Sequence, residues 1–127
     1  MSRKIINIPP ILLTATLTTN LLNCNVTSLS GPVGLTLSQP FLLIPHIRFV
    51  NKDTVSRNFS IWKGGTAGNV SGTEVIGNGK VIAANDVYDY WAGGDGLRLD
   101  AADFLVGGAD SASKIIMQVD AYIGISG

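Results

Sequence analysis

The chain holds one histidine, His46, and one cysteine, Cys24, and these two residues limit the chemistry open to it. A cysteine nucleophile with an imidazole base would have to pair them with each other. A serine triad would also have to recruit His46, and no Gly-x-Ser-x-Gly elbow occurs. Zinc takes three or four His, Cys or carboxylate ligands and would depend mostly on carboxylates here. The simpler expectation makes Cys24 a small apolar residue. His46, following Pro45, is expected to pack or cap at the surface.

Among the carboxylates, Asp95, Asp100 and Asp103 lie closest in sequence. Their spacing is not that of a helix-flanked calcium loop, and aspartates at such positions commonly close turns. Glycoside hydrolysis needs two carboxylates across a cleft, and nothing in the spacing brings a pair together. Gly77-Asn78-Gly79-Lys80 is followed by Val81 rather than by Ser or Thr opening a helix, so it is not a phosphate loop. Gly64-Gly65-Thr66-Ala67-Gly68 lacks the lysine altogether. The expectation is no catalytic residue, no metal and no cofactor. The aromatics Trp62, Tyr88, Tyr90 and Trp91 are a different kind of candidate. They serve either as core and subunit contacts or as a stacking platform for a sugar or base. Tyr88 and Tyr90 share one face of a strand, with Asp89 and Trp91 on the other.

Those residues must be positioned by strands. Residues 11–23 are rich in leucine and threonine, with Thr14, Thr16, Thr18 and Thr19 favouring strand over helix. Residues 20–32 carry turn chemistry, and Leu35 and Leu37 mark a short strand. Residues 41–51 form a strand interrupted at Pro45, which places it at an edge or at a bulge. Phe59 and Ile61 begin the next strand, and the two are expected to pair as a hairpin. A glycine-rich loop follows over residues 64–72. Short strands are expected at 81–82, 87–91, 97–99 and 104–106, the last ending at Gly107-Gly108. Residues 115–125 alternate cleanly, with Ile115, Met117, Val119, Ala121, Ile123 and Ile125 on one face. No segment keeps a helical period. The fold expected is all-β: a single antiparallel β-sandwich or jelly-roll-like domain over residues 11–127. An extended N-terminal arm precedes it over residues 1–10. Its Arg3, Lys4, Ile5, Ile6, Ile8, Pro9 and Pro10 are the candidate contact with a neighbouring protein or a second subunit.

Composition narrows the partners. Charged residues make up 14% of the 127, against roughly 25% in an average domain, while 46% are hydrophobic. Nine basic and nine acidic residues cancel. No basic stripe marks a nucleic-acid partner, and no amphipathic helix or long apolar run marks a membrane. A surface so poor in charge suits a protein that packs against other proteins. Asn7, Pro9 and Pro10 interrupt any secretory signal, so synthesis and assembly in the cytosol are expected.

From residue 41 onward the chain resembles the small β-sandwich structural proteins of tailed-bacteriophage virions. The resemblance runs through Phe41-Leu-Leu-Ile-Pro-His-Ile-Arg-Phe-Val-Asn-Lys52, Phe59-Ser-Ile-Trp-Lys-Gly64 and Gly72-Thr-Glu-Val-Ile-Gly77. It continues from Val81 through Asn85 to Trp91, through Asp103-Phe-Leu-Val-Gly-Gly108, and along the closing strand to Ile125. The order of these segments carries the resemblance more than any one of them, and the first forty residues depart from it. It implies a non-enzymatic virion component, assembled in the host cytoplasm. First among such roles is a capsid decoration protein that docks on the major capsid protein as a homo-oligomer, with a trimer favoured. A neck or tail component, or a virion-surface module that binds host glycans, are the alternatives.

Overall fold

The computed structural model describes residues 2–23, 40–94, 96–100 and 102–125, so the expected strand at Leu35 and Leu37 lies outside the described residues. Ten strands and no helix occur among the described residues. They are β1 (Ser2–Asn7), β2 (Ile11–Leu12), β3 (Thr19–Asn23), β4 (Pro40–Asn51), β5 (Arg57–Gly64), β6 (Glu74–Ile82), β7 (Val87–Trp91), β8 (Leu97–Leu99), β9 (Phe104–Ala109) and β10 (Ile115–Ile125). All pairings are antiparallel. One sheet has the order β1-β10-β4-β7, with β2 also on β10 and β8 also on β4; the other has the order β3-β9-β5-β6.

The two sheets face each other across one core. Ile47, Phe49, Met117 and Ile115 come from the first sheet and Phe59, Ile61 and Leu105 from the second, all essentially without solvent exposure. The Phe49 and Phe59 rings stack across the gap with centroids 4.3 Å apart, and Tyr88 closes the cluster at 6.4 and 6.2 Å. β4 and β5 therefore lie in opposite sheets, and the hairpin expected between them does not form. Both strands are apolar on their inner faces, and facing each other across the core buries what pairing side by side would leave in water.

Asn51 fixes the crossing. Its side chain is fully buried, and its amide nitrogen donates to the carbonyls of Val55, Ile82 and Ala83 at 3.0, 3.0 and 3.1 Å. Its Oδ1 accepts from the Asp53 amide at 2.9 Å. One side chain thus ties the end of β4, the crossing loop and the end of β6 together.

The stretch expected as an arm is part of the sheet. Ser2–Asn7 pairs with β10 residue for residue, from Ser2 opposite Ile125 to Asn7 opposite Asp120. Ile6 and Ile8 are buried in the core, whereas Ile5 is 79% exposed. Alternation explains this: an extended segment with apolar residues at every second position can bury them on its own sheet. Pro9 and Pro10, both exposed, end the strand because proline offers no N–H to the ladder. Ile6 and Ile8 therefore contribute to the domain's own core.

Two further boundaries differ from expectation. β6 begins at Glu74 rather than Val81, because Gly77-Asn78-Gly79 is a bulge inside a strand and not a turn between two. Between the Phe59–Lys80 and Ile61–Ile76 pairs the single residue Ser60 of β5 opposes Gly77, Asn78 and Gly79 of β6, and the Gly79 amide donates to Ser60 Oγ at 2.8 Å. β9 runs through Gly107-Gly108 instead of stopping there. A side chain at Gly107 would collide with the Ser60 carbonyl, and one at Gly108 with the carbonyls of Thr14 and Thr16. The glycines let neighbouring backbone approach and do not break the strand. Pro45 marks a bulge, but in an interior strand.

Replacing Asn51 with alanine removes the side-chain amide that the carbonyls of Val55, Ile82 and Ala83 share, while the Ala83 carbonyl keeps a further donor there, the Asp86 amide at 3.2 Å. We expect a loss of about 3 kcal/mol in unfolding free energy, seen as a lower denaturant midpoint at unchanged slope. A loss under about 1 kcal/mol would mean that the crossing is held by other contacts.

Candidate functional site

The outer face of the first sheet carries the only interlocked charged cluster that spans three strands among the described residues. Its geometry starts at the bulge in β4. His46 lies opposite Asp120 and Leu43 opposite Tyr122, so Ile44 and Pro45 together oppose the single residue Ala121. An extra residue flips the alternation. Leu42 and Ile44 face the core before it and Ile47 and Phe49 after it, which turns His46, Arg48 and Val50 outward. Pro45 sits where β4 changes partner, between the pairing of Leu42–Ile44 with β8 and of residues 46–50 with β7, so its missing N–H interrupts neither ladder. Its carbonyl accepts from Ala92 at 3.0 Å. Gly96 passes directly over the bulge with φ of 111°, and a side chain there would meet the Ile44–Pro45 peptide at 2.9 Å.

His46 is clamped on both sides. Its Nδ1 lies 3.0 Å from Asp120 Oδ2 on β10, and its Nε2 lies 2.8 Å from Asp89 Oδ1 on β7. Arg48 Nε donates to the same Asp89 oxygen at 2.8 Å. Trp91 stacks on the imidazole with centroids 4.1 Å apart and planes 27° from parallel. Beneath this lid the histidine is 9% exposed, while Trp91 itself is 71% exposed. Only an imidazolium can donate at both nitrogens; a neutral ring would leave one lone pair facing a carboxylate. Burial by itself disfavours the charge, but the hydrogen bonds to Asp120 and Asp89 and the attraction of both carboxylates outweigh it, and the His46 pKa stands above its ordinary 6.5. The hydrogen bond from Arg48, then that from His46, holds Asp89 below the ordinary carboxylate value.

This arrangement occupies the histidine. A general base needs a free nitrogen aimed at a substrate proton, and both nitrogens here already have partners. Cys24, the one thiol that could have joined it, lies outside the described residues, as does Asp95. Asp103 accepts the Asp100 amide at 2.9 Å and closes its own turn, and Asp100 pairs with Arg98 at 2.8 Å. Among the described residues no group of three His, Cys, Asp or Glu side chains is arranged to hold a metal ion.

The candidate aromatics do not share a surface. Tyr88 and Tyr90 face inward and pack against the core, and Asp89 and Trp91 face outward, as the alternation of β7 requires. Trp62 lies in the other sheet at 5% exposure, and its indole N–H has no partner among the described residues. Trp91 alone is accessible. Of the proposed contact residues near the N-terminus, Ile5 faces outward opposite Tyr122, Arg3 and Lys4 lie opposite Gly124 and Ile123, and Ile6 and Ile8 are in the core.

A feature that composition and spacing hid is an apolar row across the outer face. Leu12 pairs with Ile116, Ile116 with Val50, and Val50 with Val87, so four residues from β2, β10, β4 and β7 stand in line. Leu12 and Val87 are exposed, and Ile116 and Val50 half-buried. Three strand spacings make this row about 14 Å long. Ile5, Leu12, Val87, Trp91 and Tyr122 all project from this face, five of the nine large exposed hydrophobics among the described residues, so apolar exposure is concentrated here. Members so far apart in sequence give no local signal; only the register aligns them.

Against known proteins, the chain matches no family model, no curated protein and no solved structure.

The clamp predicts a pH profile with two limbs. The His46 pKa is raised on folding, so its contribution to stability is complete below pH 6.5 and is lost as pH rises through the folded value. Asp89 and Asp53 run the other way. Their folded pKa values lie below 3.8, Asp53 chiefly through Arg57, so their contribution is complete above pH 3.8 and is lost as pH falls through the folded values. The denaturation midpoint should be highest between these limits. His46→Gln should abolish the alkaline decline and keep the acid one; an unchanged alkaline decline would assign it to another group.

Proposed function

We propose that this chain is a non-catalytic structural subunit of a tailed-phage virion, a capsid decoration protein that docks on the major capsid protein. The observation that carries the reading is the apolar row Leu12–Ile116–Val50–Val87 on the face where exposed apolar side chains are concentrated. A sheet face that only met water would alternate apolar-in and polar-out. Here one outward position on each of four adjacent strands holds leucine, isoleucine or valine. The resemblance of the segment order to that of phage virion proteins suggests a class of partner for the row, and the low charge content fits contacts made mainly by apolar groups.

In this reading the two facing sheets are a β-sandwich, jelly-roll-like in that the chain passes repeatedly between them. Subunits associate as trimers, and each presents its row to the shell. A stable protein interface buries on the order of 1,600 Å² in total, more than one such row supplies. Weak copies repeated on a symmetric lattice gain avidity, which offsets the small size of each contact. No chemistry is required, and the strengthened shell is the product.

The test is co-sedimentation of the purified protein with mature heads that lack it. Saturable binding at high copy number is expected, and Leu12→Lys with Val87→Lys should abolish it while the protein stays folded, since both side chains are exposed. Binding confined to a few copies would move the protein to the neck or tail. Undiminished binding by the doubly substituted protein would remove the row from the mechanism.

A further inference from the structure

We propose that Trp91 and the depression beside His46 form a subsite for a neutral, hydroxyl-rich saccharide about two rings long. The site is separate from the apolar row. Val87 and Trp91 are four residues apart on β7, which places them about 13 Å from each other along the strand.

Trp91 is the platform. One face of its indole rests on the imidazole, and the ring is 71% exposed. The histidine beneath it is fixed by carboxylates from two neighbouring strands, so the indole is held in place before any ligand arrives. Preorganisation of this kind reduces the ordering that binding would otherwise require. A flat, amphipathic indole suits the C–H face of a sugar ring, which is apolar while its rim is polar.

The polar half of the site lies on the far side of His46. A depression of about 230 Å³ is lined by His46, Arg48, Gln118 and Asp120. Among the described residues Asp120 uses only Oδ2, and its carboxylate side chain is 77% exposed. Arg48 uses Nε and Nη2 on Asp89, which leaves Nη1. The Gln118 amide offers both a donor and an acceptor. An acceptor, a donor and an amide in one small hollow match adjacent sugar hydroxyls, each of which both donates and accepts. Trp91 on β7 and Asp120 on β10 are two strand spacings apart, about 10 Å, which is the span of two linked rings.

Charge decides the class of sugar. With His46 protonated, His46 and Arg48 balance Asp89 and Asp120, so the site has no net charge to attract an anion. The exposed Asp120 carboxylate at the mouth would repel a sialylated or phosphorylated ligand. Neutral saccharides meet no such opposition.

Saturation-transfer NMR on the intact protein tests this, with maltose, cellobiose, lactose and di-N-acetylchitobiose as neutral probes and sialyllactose as the anionic one. Transfer to the ring C–H protons of at least one neutral disaccharide is expected. Trp91→Ala should weaken it about tenfold or more, and Trp91→Phe, which keeps a stacking ring, should retain most of it. Gln118→Ala should weaken it without disturbing the fold. Leu12→Lys with Val87→Lys should leave it intact, so failure of head docking and failure of sugar binding are distinguishable. Absence of transfer from every neutral probe to folded protein would overturn the proposal. So would transfer that survives Trp91→Ala, or stronger binding of sialyllactose than of its neutral counterpart.

Discussion

One inserted residue in β4 decides what the outer face of this protein is. Without the bulge at Ile44–Pro45, the alternation that puts Leu42 and Ile44 inside would continue to His46 and Arg48. The core would then have to accept an imidazole and a guanidinium, and Ile47 and Phe49 would point to water. Burying an unpaired charge is far more unfavourable than a local break in a ladder. The bulge resolves this by resetting the phase once, in the middle of the sheet, where β4 exchanges one neighbour for another. Everything that follows on β4 inherits its facing from that step: Phe49 meets Phe59 inside, while His46 and Val50 stand outside in the polar cluster and the apolar row.

Asn51 does for the two sheets what the bulge does for the two faces. A fully buried amide is stabilising only when its hydrogen-bonding groups find partners, and this one has four short contacts to backbone. It therefore tolerates few alternative placements of the crossing loop. Satisfied polar groups of this kind specify one arrangement among several that hydrophobic burial alone would accept. The stacked rings of Phe49 and Phe59 sit directly inside that crossing, so the polar knot and the aromatic contact reinforce the same register.

Much of the strand content was legible in the sequence because strand period is a local property. β10 declares itself over eleven residues, β7 sorts Tyr88 and Tyr90 from Asp89 and Trp91, and Pro45 announces a bulge. Pairing was not legible. Phe41 and Leu43 share odd positions with Ile47 and Phe49, and the break at Pro45 does not tell by itself that the bulge puts the two pairs on opposite faces. Glycines read as breaks at 77–79 and 107–108, where they are a bulge and a close approach of backbone. The N-terminal isoleucines read as a free arm because their partner strand lies more than a hundred residues away, at the other end of the described chain. The candidate site was hidden for the same reason. Asp89 is 43 residues from His46 and Asp120 is 74, so no spacing rule could join them.

The clamp around His46 also bears on what the lone histidine of a poorly charged protein is for. An imidazole engaged at both nitrogens contributes little as an acid or base, and its pairing with Asp120, whose side chain is 77% exposed, is screened by solvent. Its stronger effect is steric and orientational: three strands are cross-linked by Asp89, His46 and Asp120, and the ring offers Trp91 a flat support. A large indole left unsupported on a sheet surface would sample several rotamers and favour non-specific contacts. Fixed on the imidazole, it presents one defined face to solvent. The polar cluster is thus self-satisfied toward the protein and selective toward solvent, whereas the row at Leu12, Ile116, Val50 and Val87 has no polar group to satisfy and can be stabilised only by being covered. Two surfaces on one sheet, about 13 Å apart along the strands, therefore call for two different kinds of contact.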